Sequence, residues 1–249
     1  MFRRLFRVTL VLFALGCAPV LHAQSLVQLS VVDRDSGRTL PEWPHRGERW
    51  IEGDPGHRYA LRLTNLTGAR VLVVVSVDGV NAVSGQDACV DQGGYVLAPW
   101  QTTEISGWRK SLQEVAAFVF TDLPDSYAAR TGRPDNVGVI GLAAFRERAP
   151  APVSVLPDPA APERRNDAAR AAAPAAEASK QTLGTGHGER QWAPVGRTTF
   201  VRDSARPQQR TQLRYDTRSR LIALGVLPVR RPLAVDRPQA FADGFVPDP

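Results

Sequence analysis

The chain is short of the residues that most often carry chemistry. Among 249 residues there are two cysteines, Cys17 and Cys89, and four histidines, one of which, His22, falls in the N-terminal segment. Two cysteines give no disulfide framework, so an apolar core must hold the fold. If Cys17 leaves with the N-terminal segment, Cys89 has no partner in the chain and reads as a small, half-buried apolar side chain. No His-Glu-x-x-His pair or paired-Cys motif occurs, which removes the usual zinc signatures. The Gly-x-Ser-x-Gly elbow of serine hydrolases is missing too. Gly132 to Gly141 holds several glycines but no Gly-Lys-Ser/Thr, so it is not a phosphate loop. No catalytic set, cofactor motif or metal site is expected. Also lacking is an apolar run of the roughly 20 residues that a bilayer-spanning helix needs.

What is present begins with an export pattern. Arg3, Arg4 and Arg7 precede an apolar run from Val8 to Leu15, followed by Gly16-Cys17-Ala18-Pro19-Val20-Leu21-His22-Ala23. A basic start, a short apolar core and small residues at the end define a secretory signal peptide. Cleavage is expected after Ala23, which makes the protein periplasmic or secreted. Ala14-Leu15-Gly16-Cys17 leaves a second option, a lipoprotein anchored through Cys17.

Charge is unevenly divided. The formal net charge is +6, and the N-terminal segment supplies +3 of it. Residues 24–150 carry 13 basic and 15 acidic side chains, whereas residues 191–249 carry 10 arginines and 5 aspartates. The positive charge therefore belongs to the ends of the chain, and Asp203, Asp216 and Asp236 interleave it. Interleaved charge of this kind reads as a solvated surface. Together with export, it argues against a nucleic-acid partner.

Residues 151–190 divide the chain. Ala and Pro dominate up to Lys180, including Ala171-Ala172-Ala173-Pro174-Ala175-Ala176, and Gly184-Thr185-Gly186-His187-Gly188 follows. Little large apolar surface is available there to offset the entropy of ordering, so a disordered linker is expected. A Pro-rich disordered tail is expected over 228–249. Before the linker, Tyr59, Leu61 and Leu63 alternate with polar residues, as a one-sided strand does. Val71-Leu72-Val73-Val74-Val75 is continuous and should be a central strand covered on both faces. Strands are also expected over 26–32, 95–97, 102–106, 115–121 and 137–145, with turns at Asn65-Leu66-Thr67-Gly68 and Asp78-Gly79-Val80-Asn81. Seven or eight short strands separated by turns predict an antiparallel β-sandwich over 24–150. One short helix is expected at 124–131. Beyond the linker, strands at 198–202 and 212–215 and a helix from 218 capped by Thr217 form a β-β-α segment over 191–227. That segment is too small to bury its own core and is expected to dock on the sandwich or on a second copy of the protein.

Several runs are familiar together: Val73-Val74-Val75-Ser76-Val77-Asp78-Gly79-Val80-Asn81, Gly94-Tyr95-Val96-Leu97-Ala98-Pro99-Trp100, Gly107-Trp108-Arg109-Lys110-Ser111 and Ala117-Phe118-Val119-Phe120. The stretch from Asp125 to Gly141 and the C-terminal Leu213-Arg214-Tyr215-Asp216 and Leu221 to Val226 complete the pattern. With them the chain resembles a family of exported proteobacterial proteins of unknown function. The resemblance spans both folded segments, skips the linker, and brings no activity or site residue with it.

The remaining candidates are turns and tryptophans. Asp33-Arg34-Asp35-Ser36-Gly37 has the alternating oxygens that open a calcium loop, but Pro44 stands where the closing glutamate belongs, so a β-turn is expected. Trp100 follows Pro99, and Trp108 sits between Gly107 and Arg109, which puts both in loops or at strand ends. A flat indole suits the apolar face of a sugar, and Arg109, Asp78 and Asn81 could supply hydrogen bonds beside it. The same tryptophans could instead plug the sandwich ends, each with its N–H on a backbone carbonyl. The sequence thus points to a non-enzymatic envelope protein acting through an envelope protein partner. A carbohydrate- or cell-wall-binding module on Trp100, Trp108, Arg109, Asp78 and Asn81 is the alternative, and an enzyme with an unrecognised site a third.

Overall fold

The computed structural model describes residues 25–149 and 181–229. The expected signal segment, the Ala/Pro-rich part of the linker up to residue 180 and the tail beyond 229 lie outside them.

Two sheets face one another across one main core. The first follows the path β1 (Val27–Asp33), β4 (Arg58–Asn65), β10 (Glu114–Asp122), β12 (Leu183–Trp192), with β8 (Thr102–Ile105) on β4 and β9 (Gly107–Arg109) on β10. The second runs β2 (Trp43–His45), β3 (Glu48–Glu52), β13 (Gln209–Asp216), β11 (Val139–Arg146), β5 (Val71–Val77), β6 (Val80–Asn81), with β7 (Tyr95–Leu97) on β5. The pairings are antiparallel except that of β13 with β3. The expected sandwich is therefore present, with more and shorter strands than the sequence alone separates. No helix among the described residues is long and apolar enough to cross a membrane.

The two strongest sequence patterns act as anticipated. Tyr59, Leu61 and Leu63 are fully buried on the inner face of β4. In β5, Val71, Val73, Val75 and Val77 enter the main core, while Leu72 and Val74 join Ala143 and Phe145 in a second cluster on the outer face, against Val90, Val96 and Phe200. Burial on both faces is what a continuous β-branched run requires. Across the core, Tyr59 stacks on Phe120 at 4.2 Å between ring centroids, and Phe120 meets Tyr215 of the facing sheet at 5.4 Å.

The expected boundary at residue 190 does not hold. Residues 183–192 form β12, an edge strand paired with β10 along its length. Its glycines answer close approach rather than flexibility. A Cβ on Gly184 would lie 2.6 Å from Ser126 Cβ, and one on Gly188 would lie 2.6 Å from Val119 Cγ2. Here a side chain would push neighbours away, and a bare backbone lets them pack. The C-terminal segment is likewise not a separate docking piece. β13 lies inside the second sheet, between β3 and β11. Residues 198–202 form no strand beyond an isolated bridge of Arg202 with Glu147.

Helix α1 (Tyr127–Arg130) is capped by Ser126, whose hydroxyl accepts from the Ala129 amide. Helix α2 (Arg218–Ala223) is capped by the expected Thr217. It covers the β2–β3 hairpin in a small cluster where Trp50 packs with Leu221, Val226 and Leu227, and Trp43 joins at the margin.

Candidate functional site

The five residues singled out by the sequence do not form one surface. Trp100 is 68% exposed in the loop before β8, with φ of 60° and its indole alongside Gly68. Trp108 is 3% exposed and packs edge-on to Phe118 at 4.9 Å and against Tyr127 at 5.0 Å. It plugs the sandwich as the alternative reading expected, although its Nε1 has no hydrogen-bond partner among the described residues. Asp78 and Asn81 are buried too. Burial removes Trp108, Asp78 and Asn81 from any contact surface, leaving Trp100 exposed and Arg109 half-buried elsewhere. Cys89, expected to be half-buried, is exposed.

Asp78 is turned inward by its hairpin. Asp78-Gly79 is a two-residue loop between the paired Val77 and Val80, and both loop residues have positive φ, 53° and 74°. That is the type I′ geometry favoured by Asp-Gly. The carboxylate Oδ1 accepts from the Gly138 amide at 2.9 Å and the Tyr215 hydroxyl at 2.6 Å, and Oδ2 accepts from the Thr185 amide at 2.7 Å. Thr185 Oγ1 lies 2.6 Å from both the Tyr215 and Tyr59 hydroxyls. Each hydroxyl has one proton, so the carboxylate orders the chain: Tyr59 donates to Thr185, Thr185 to Tyr215, and Tyr215 to Asp78. Tyr59 and Thr185 belong to one sheet, and Tyr215 and Asp78 to the other, so the network clasps the two layers. Burial raises the Asp78 pKa to about 6 against the lowering effect of its donors, and pushes both phenols well above their ordinary value.

The Asp33–Gly37 segment forms a turn, with Asp33 Oδ1 accepting from the Asp35 and Ser36 amides at 2.8 and 3.0 Å. His57 Nδ1 lies 2.8 Å from Asp33 Oδ2, and Asp35 is engaged by Arg58. Burial works to raise the Asp33 pKa, but the His57 and amide hydrogen bonds outweigh it, and the Asp33 hydrogen bond raises that of His57. Asp33, Asp35 and His57 offer ligand atoms within 4.8 Å of one another. Each is already committed to pinning the turn.

Further exposed apolar residues lie outside the turns and tryptophans that the sequence marks. Trp192, at the end of edge strand β12, is 73% exposed. The chain after it runs along the tip of the β9–β10 hairpin: the Ala193 amide donates to Gln113 O at 2.7 Å, and the Val195 amide to Leu112 O at 2.8 Å. Exposed Leu112 and Val195 are thereby brought to the same hairpin end at which Trp192 closes β12. Arg109 fixes this exit, with Nη1 donating to Ala193 O and its guanidinium 5.9 Å from the Tyr95 ring centroid. Arg190 and Glu114, 3.2 Å apart, supply a polar rim. Exposed aromatic and aliphatic side chains at one end of a hairpin, with a charged pair on the same two strands, are of the kind that protein contacts use. The signal in the sequence is Trp192 itself, four residues beyond Gly188 and just past a segment whose glycines read as a linker.

No family model matches the chain, and comparison with curated proteins and with solved structures finds no match either.

Proposed function

We propose that this is an exported envelope protein, without an enzymatic site of its own, that acts through protein contacts centred on Trp192. The observation carrying this reading is the exposure of Trp192 at the end of an edge strand, with exposed Leu112 and Val195 at the same hairpin end. Tryptophan brings a large rigid apolar area at little entropic cost, and for that reason it dominates binding energy at contact centres. An edge strand adds unpaired backbone groups that an extended partner segment can meet. The export part of the reading rests on the basic, apolar and small-residue pattern of residues 1–23.

Two measurements test it. The purified mature protein should begin at Gln24; a lipid-bearing N-terminal Cys17 would make it a lipoprotein, and a retained Met1 would remove export altogether. A photo-crosslinking residue at position 195 should capture a defined envelope protein in cells. Trp192→Ser should then weaken that complex by roughly 2 kcal/mol, about thirtyfold in affinity. A crosslinked product unchanged by the substitution would overturn the contact. The carbohydrate reading is supported by exposed Trp100 alone. Titration of tryptophan fluorescence with peptidoglycan and polysaccharide fragments should leave the spectrum unchanged, and a saturable shift abolished by Trp100→Ala would favour carbohydrate instead.

A further inference from the structure

A second site, separate from the Trp192 contact, lies on the outer face of the second sheet. The ladder sets Ser76, Gly141 and Gln212 side by side across β5, β11 and β13, with Val74, Ala143 and Arg210 in the next row. Gly141 keeps the floor low: a Cβ there would lie 2.5 Å from Ser76 Oγ. The loop at Ala88, Cys89 and Val90 forms one wall, giving a groove of about 250 Å³.

This wall is held in place before any ligand arrives. Gln92 Oε1 accepts from the buried Asn81 side chain and from the Cys89 amide, each at 2.9 Å, while its Nε2 donates to Asp87 O at 2.9 Å. Arg202 crosses over the Phe145 ring at 4.2 Å and donates to Gln92 O. Asn81 thus holds the wall through Gln92 instead of lining a surface, and a preformed wall spares a ligand the cost of ordering it.

The groove's charge is unbalanced. Arg210 is the charged side chain lining it and pairs with no carboxylate among the described residues. In the adjoining depression, which shares Arg210, Thr211 and Gln212, Glu48 is taken by Arg214 at 2.6 Å and Arg49 by Glu42 at 2.9 Å. Among the described residues, one guanidinium without a carboxylate partner therefore stands beside apolar walls.

We propose that this groove binds a small carboxylate bearing a short alkyl chain, the carboxylate on Arg210 and Gln212 and the chain along Val74, Ala143 and Val90. The guanidinium fork matches a carboxylate with two parallel hydrogen bonds. The volume lies below the ~300 Å³ at which pockets for drug-sized ligands begin, which limits the chain to a short one. Arg210 is exposed, so its pairing is screened by solvent and the binding is weak.

Cys89 is a reporter already in the wall. In the full chain, N-ethylmaleimide alkylation would be followed by mass spectrometry on the Cys89 peptide, with octanoate, 1-octanol or octylamine present. Octanoate should slow the reaction severalfold and saturably, whereas 1-octanol and octylamine should do so weakly. Arg210→Gln should abolish the octanoate effect and Arg210→Lys should keep part of it. No protection by octanoate, equal protection by the alcohol, or protection that survives Arg210→Gln would each overturn the proposal. None of these outcomes depends on Trp192, so this site and the protein contact stand or fall separately.

Discussion

Asp78→Ala should destabilise the protein by about 3 kcal/mol at neutral pH, and by more in acid. Two effects compete. The substitution leaves the Gly138 and Thr185 amides and the Tyr215 hydroxyl buried without their acceptor, at about 1–3 kcal/mol per orphaned group. It also relieves the burial of a charge, because at neutral pH the carboxylate is ionised in a place that disfavours ionisation. The lost hydrogen bonds outweigh that relief, since three donors converge on one side chain. A loss of this size is a large part of the roughly 5–15 kcal/mol by which a domain is stable. Equilibrium urea unfolding measures it, and a loss under about 1 kcal/mol would show that the clasp contributes little.

The same carboxylate fixes the direction of a pH effect. Its pKa rises from 3.8 in the unfolded chain to about 6 in the fold. The folded state thus binds the proton more tightly, and Asp78 contributes stability that is fully present below pH 3.8 and lost as pH rises through about 6. The linked change is roughly 3 kcal/mol. Carboxylates held low, such as Asp33 with His57 and the Ser36 and Asp35 amides, or Glu147 with Arg70, act in the opposite sense on acidification. The Asp78 contribution is therefore read from the difference between wild type and Asp78→Asn. That difference should grow in favour of wild type between pH 6 and pH 4. A flat difference would mean that Asp78 titrates normally.

The second large effect is a truncation. A chain ending before β12 should have no cooperative melt, although it keeps every strand of the 24–150 segment that the sequence marks as the sandwich. It would lose β13 from between β3 and β11 and β12 from the edge of the first sheet. With them go the buried Leu183, Leu213, Tyr215 and Leu221, and two of the four side chains in the clasp. An interior strand cannot be removed without exposing two rows of backbone donors and acceptors at once. Circular dichroism melting and limited proteolysis test this, and a sharp transition for the truncated chain would show that the N-terminal segment folds alone.

These two results locate what the sequence could and could not carry. The alternation at Tyr59, Leu61 and Leu63 and the valine run of β5 are local patterns, and local sterics and burial assign them correctly. The Asp78-Gly79 turn and the Thr217 cap are legible for the same reason: each is settled within a few residues. β12 was not legible because Gly184, Gly186 and Gly188 look like flexibility in one dimension. Their purpose is set by Ser126, Val119 and Thr121, which come close only in the fold. Asp78 and Asn81 have polar side chains in turns, but whether a turn residue faces water or the core depends on what lies opposite, here Thr185 and Tyr215 for the one and Gln92 for the other. The exposure of Trp192 is not legible in the sequence because it follows from the strand that Trp192 ends.

The sequence by itself thus determined a β-rich chain with few reactive groups, held by an apolar core, its strands and caps set by short-range patterning. Only the tertiary structure decided which polar side chains are buried and which apolar ones are left outside. Those outcomes rest on contacts between residues more than a hundred positions apart, such as Tyr59 with Thr185 and Asp78 with Tyr215. No local preference encodes such meetings, because the free energy that drives them appears only when the two sheets close over one core.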